Sequence, residues 1–138
     1  MDRSTERTRL AADYSIDTRT RTVRILMSGR VTAAEMYGYR RRMLADPAFN
    51  PSFSLLVDAR AATGFEMNGY SIKQFAEAQV LAGGARRAIV MSNSPDLALA
   101  RMFQIYRELA GGADKTEVFE NLDKAIQWLG LRGTYPWT

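Results

Sequence analysis

The sequence predicts a single-domain α/β protein. Its sheet is mixed but mostly parallel, with helices mainly on one face, in the order β-β-α-β-α-β-α-β-α. Three observations carry this. Apolar runs of strand length alternate with stretches of helical spacing. The runs end at Ser28-Gly29-Arg30, Asp58-Ala59-Arg60 and Ser92-Asn93-Ser94. Strong helix-start signals follow two of those ends, and short strands joined by helices build parallel sheets with right-handed crossovers. If consecutive strands are neighbours, that handedness puts all four helices on one face. The 138 residues suit one domain with one core. The reading is a flexible arm over 1–9, a domain over 10–130 and a tail over 131–138.

Leu10 to Ile16 is a weak strand, and Asp17-Thr18-Arg19-Thr20 a turn. Arg21 to Met27 alternates, with Thr22 and Arg24 outward and Val23 and Ile25 inward. The short turn makes these two an antiparallel hairpin, and Gly29 breaks the second strand. Thr32-Ala33-Ala34-Glu35 has the capping-box pattern, a hydroxyl followed three residues later by Glu. Met36, Tyr39, Arg40, Met43 and Leu44 keep helical spacing until Asp46-Pro47. Arg40-Arg41-Arg42 spans about 200° of helix surface, so one of the three lies near the buried side with its stem packed and its head snorkelling to water.

Phe53 to Val57 is a continuous apolar run suited to a central strand, ended by Asp58-Ala59-Arg60. Thr63 to Tyr70 reads as a loop. Ile72 to Leu81 is helical and is closed by Gly83-Gly84; Arg86 to Met91 is the next strand. Ser94-Pro95 gives an N-cap and a first-turn Pro. Leu99, Met102, Phe103, Tyr106 and Leu109 form the expected buried stripe of that helix. Lys115 to Phe119 is the last strand. Asn121 caps a final helix with Leu122, Ala125, Ile126 and Leu129 inward and Gly130 at its end.

Composition excludes several chemistries. There is no Cys and no His, so no disulfide framework, no thiolate, none of the common zinc sites and no Ser-His or Cys-His pair. No dense acidic loop suggests a metal, and no cofactor is expected. The net charge is +4, with sixteen Arg and three Lys. These Arg residues are dispersed among acids, so coding bias explains them better than specific nucleic-acid binding. No stretch approaches the roughly 20 apolar residues of a membrane span. The polar Met1 to Arg7 segment is unlike a secretory signal, so the expectation is cytoplasmic.

The blocks Gly29-Arg30-Val31-Thr32, Phe53 to Arg60, Arg87 to Val90, Ala100-Arg101-Met102-Phe103, Val118-Phe119 and Ala125 to Leu129 together resemble the small bacterial STAS-like, or SpoIIAA-like, proteins. The resemblance covers roughly residues 10–130. It implies a β-α fold with helices on one side of a sheet, and a regulatory, protein-interaction role. In the broader group a Ser or Thr at a helix start, in an Asp-Ser-Ser/Thr-Gly setting, is phosphorylated. The matching region here is Phe65-Glu66-Met67-Asn68-Gly69, where Met67 and Asn68 replace that hydroxyl. The resemblance therefore argues against a phospho-switch.

Open parallel sheets bind ligands beyond the carboxyl ends of their strands. Arg30, Asp58, Arg60, Ser92 and Asn93, with Arg101 two turns into the following helix, are candidates for a small polar or anionic ligand there. The favoured reading is structural: Asp58 pairs with Arg60 or caps the next segment, and Ser92-Asn93-Ser94 simply starts a helix. Phe65, Met67, Asn68 and Tyr70 form a candidate recognition loop, or a lid folded onto the core. No residue pair reads as general acid and base. The expected function is a non-enzymatic STAS-like interaction module, with another protein or a second copy as partner. A homodimer would cover the sheet face left bare by one-sided helices, near Tyr135 and Trp137. The alternative is a binder of a small anionic or lipid-like ligand, which an apolar cavity beneath the Phe65–Tyr70 loop would favour.

Overall fold

Nine elements follow one another along the chain. They are β1 (Ala12–Asp17), β2 (Thr22–Thr32), α1 (Ala33–Ala45), β3 (Ser54–Glu66), α2 (Gly69–Glu77), β4 (Arg86–Val90), α3 (Ser94–Leu109), β5 (Lys115–Phe119) and α4 (Leu122–Trp128). The computed structural model describes residues 10–131. The arm over 1–9 and the tail with Tyr135 and Trp137 lie outside the described residues.

The strands form one sheet in the order β1-β2-β3-β4-β5. β1 is antiparallel to β2, and every other pairing is parallel. Three right-handed crossovers thus carry α1, α2 and α3 over one face. There Val23, Ile25, Met27, Leu55, Val57 and Ile89 meet Met36, Met43, Ile72, Phe75, Ala100 and Phe103 in the main core. α4 lies on the opposite face, where Ala125, Ile126 and Leu131 bury Leu56, Ala88 and Val90. The one-face expectation fails for α4 because the handedness rule binds only helices between parallel strands, and no strand follows α4. The chain itself therefore supplies part of the cover that the expectation assigned to a second copy.

The central strands run longer than composition suggests. Gly29 does not break β2, and Asp58-Ala59-Arg60 does not end β3. The two pair as far as Thr32 and Glu66, with β3 gaining a residue on β2 between Leu26 and Ser28 and again between Gly29 and Arg30. Gly29 sits at φ +65 in this irregular stretch, a conformation that costs glycine little. The Thr63–Tyr70 segment is accordingly strand to Glu66 and helix from Gly69, not a free loop.

Smaller corrections follow. Thr22 is buried, its hydroxyl donating to the Thr20 carbonyl at 3.0 Å. α2 ends at Glu77, and Val80 and Leu81 stay buried in the segment after it. Asn93, not Ser94, caps α3, accepting from the Asp96 N–H at 3.0 Å. The buried positions of α3 are Asp96, Ala100, Phe103 and Arg107, while Leu109 is 76% exposed. Leu44 is likewise exposed. At Thr22, Asp96 and Arg107 a polar side chain with a fixed partner takes a place that hydrophobic patterning gives to an apolar one. The capping box on α1 forms as read: Thr32 Oγ1 accepts from the Glu35 N–H, and the Glu35 carboxylate accepts from the Thr32 N–H.

Candidate ligand-binding site

Most of the polar residues expected to line the strand ends are engaged by neighbours. Asp58 is buried in mid-strand and receives Arg60 Nε and Nη2, each at 2.9 Å, with Arg24 Nη2 at 3.8 Å. Burial alone would raise the Asp58 carboxyl. Hydrogen bonds from the Arg60 side chain and N–H, with the charges of Arg60 and Arg24, hold it below the ordinary carboxylate range. Ser92 Oγ donates to the Arg60 carbonyl, and Asn93 Nδ2 to Asp96. Arg30 reaches over Gly64 to pair with Glu66 at 2.8 Å; a Cβ on Gly64 would stand 2.9 Å from the Arg30 Nη1. Arg101 is exposed on α3 and makes no ion pair among the described residues. Asp58, Arg60 and Ser92 thus form one cluster, while Arg30, Asn93 and Arg101 stand apart from it.

A different site appears between the sheet and α1–α3. A cavity of about 50 Å³ is lined by Met27 and Met91 at the sheet, Met36, Tyr39, Arg40 and Met43 on α1, Phe65 and Met67 at the end of β3, Ile72 and Phe75 on α2, and Leu99, Ala100 and Phe103 on α3. Five of the chain's seven methionines take part. Phe65 and Met67 belong to this wall. Asn68 instead caps α2, its side-chain oxygen accepting from the Ser71 N–H at 2.8 Å, and Tyr70 is exposed. Asn68 therefore does at the helix start what a hydroxyl residue does there as a cap.

Three arginines are buried around this interior. Arg87 lines the cavity, with Nη1 3.1 Å from Asp114 Oδ2 and 3.0 Å from Thr116 Oγ1. Arg107 Nη2 lies 2.6 Å from Asp114 Oδ1, and its Nη1 donates to the Ala76 carbonyl at 2.9 Å. Burial brings the Arg87 guanidinium down to about 10, although Asp114 opposes the shift. Asp114 itself is held low: burial acts to raise it, but the hydrogen bond from Arg107 and both positive charges prevail. Arg40 is the third. Its head lies 3.4 Å above the Phe75 ring and donates from Nη1 to the Phe75 carbonyl at 2.8 Å, at the edge of a surface groove. Arg40 and Arg107 so take up free carbonyls at the C-terminal end of α2, where a cation is favoured. No sequence motif marks the methionine wall, because its five methionines come from four separate segments. The only local signal was the apolar pair Phe65 and Met67.

Comparison with known proteins places the fold. The chain is similar to the crystal structure of an uncharacterised protein from the DUF3478 family, with a SpoIIAA-like fold, from Shewanella loihica PV-4. The TM-score is 0.54 at 16% identity, over 86% of this chain and 92% of that one. No family model and no curated protein matches the sequence. The fold is SpoIIAA-like, as the sequence blocks suggested. No described helix is long and apolar enough to cross a membrane, and the described residues hold no cluster of acidic side chains able to bind a metal ion.

Proposed function

We propose that this protein is a binding module for a small, largely apolar molecule held between the sheet and α1–α3. The observation that carries the reading is the gathering of five methionines around one cavity. A core that needs only rigidity is served by Leu, Ile and Val; Met is unbranched and repacks around irregular contents. About 10–15 Å³ admits one water, so the existing space of about 50 Å³ is small. A larger guest enters by displacing methionine side chains, which they tolerate better than branched ones. Both oxygens of Asp58 are occupied by Arg60, which favours this cavity over the strand ends as the ligand site. Tyr39, Arg40 and Arg87 are the polar residues of the lining. They include no carboxylate to serve as base, which favours a non-enzymatic role in which the guest is signal or cargo.

The test is thermal unfolding with a panel of small apolar compounds such as n-hexanol, cyclohexanol and indole. A ligand at 100 times its Kd stabilises by about 2.7 kcal/mol, a rise of several degrees for a domain of this size. At least one compound is expected to give a saturable rise. A panel that leaves the Tm flat throughout would count against the cavity as a binding site.

A further inference from the structure

We infer that the guest is an anion, a compact acidic head on a short apolar body, with its head held by Arg40 and Tyr39. The inference rests on the cavity reading above and adds the charge of the ligand. Three arginines, Arg40, Arg87 and Arg107, are 8%, 3% and 4% exposed. Asp114, its side chain fully buried, pairs with Arg87 and Arg107. Among the described residues no carboxylate pairs with Arg40. The C-terminal end of α2 supplies about half a negative charge, so the interior keeps a surplus of more than one positive charge. A buried cation without a counter-charge is costly, and an entering anion would remove that cost.

The donors also outnumber the acceptors. One Arg40 N–H is taken by the Phe75 carbonyl, and the guanidinium has five. Arg107 Nε is buried without a partner. The Tyr39 hydroxyl, on a residue 4% exposed that lines the cavity, makes no hydrogen bond among the described residues. Tyr39 and Arg40 are neighbours on α1, and both border the cavity. Arg40 further borders a surface groove with Tyr37, Arg41 and Leu44, so it stands between the cavity and solvent. That position suits an acidic head at the rim and an apolar body inward, among the methionines.

Calorimetric titration of n-hexanol, hexanoate and hexyl phosphate into the wild type, Tyr39→Phe and Arg40→Met decides it. The wild type should bind an anionic compound about tenfold more tightly than the alcohol, the worth of one charge-assisted hydrogen bond; the tighter anion names the head. Tyr39→Phe removes a hydroxyl that makes no hydrogen bond among the described residues, so the free variant should melt no lower than wild type. It should nevertheless lose part of the anion preference, and Arg40→Met all of it, while n-hexanol still binds. Equal binding of alcohol and anions by the wild type overturns the inference but leaves the cavity reading in place. An anion preference undiminished in Tyr39→Phe overturns the assigned contact even if Arg40→Met fails to fold. Failure of all three compounds to bind removes the cavity reading and the inference together.

Discussion

Replacing Asp114 by Asn tests how the cavity wall is held. The Asp114 side chain is wholly buried, and both of its oxygens face arginines, at 2.6 Å from Arg107 and 3.1 Å from Arg87. At an effective dielectric near 20 each pair attracts by about 5–6 kcal/mol before desolvation. Desolvation consumes most of that gain, but it is not returned when only one partner goes: the guanidinium charges stay buried. Removing one member of such a pair costs about 3–5 kcal/mol. The two pairs share a carboxylate, so their losses do not add. Against a total stability of about 5–15 kcal/mol this is a large fraction. It should lower the urea midpoint by about 2 M and the Tm by about 10–20 °C. The pH dependence gives a second reading. Asp114 titrates below the ordinary carboxylate value in the folded chain. Its stabilisation is therefore complete above the unfolded value of about 3.9 and is lost as pH falls through the depressed native one. The gap between wild type and Asp114→Asn should be full at pH 7 and shrink in strong acid. Urea titrations at several pH values measure both. A loss below about 1 kcal/mol at pH 7 would refute the claim that this carboxylate ties α3 to β4.

Thr32→Ala removes one half of the capping box on α1 and should cost about 1 kcal/mol in urea unfolding. Gly29→Ala should cost about 1 kcal/mol or more through its positive φ alone, since nothing lies within 4 Å of the added Cβ; an unchanged midpoint would mean the irregular stretch of β2 relaxes freely. Ile126→Ala should cost about 2–5 kcal/mol, because Ile126 is buried against Leu56, Ala88 and Val90. A near-neutral result would show that α4 is not packed on the second sheet face.

The fold was legible because its signals are local. Thr32 and Glu35 mark the start of α1, Pro95 that of α3 and Asn121 that of α4, and the apolar run Leu55-Leu56-Val57 marks the central strand. The lengths of β2 and β3 were not legible, since Gly29 and Asp58 resemble terminators until cross-strand pairing and the arginines beside Asp58 are known. The face taken by α4 escaped for a topological reason: no following strand fixes its crossover. The site was least legible. Arg40 reads as a solvent-seeking cation on a basic run, and only the ring of Phe75, 35 residues later, explains its burial. The methionine wall has no sequence motif, because it is assembled from β2, α1, the turn into α2 and the residue after β4.

The central claim is that a small molecule enters this methionine-lined cavity, and the methyl resonances of selectively labelled methionine observe it directly. On titration with n-hexanol, Met27, Met36, Met43, Met67 and Met91 should shift together along one saturable curve, while Met102, which is not part of the lining, stays in place. Methyl signals that do not move, or that drift linearly with Met102 moving as much as the rest, would contradict the account.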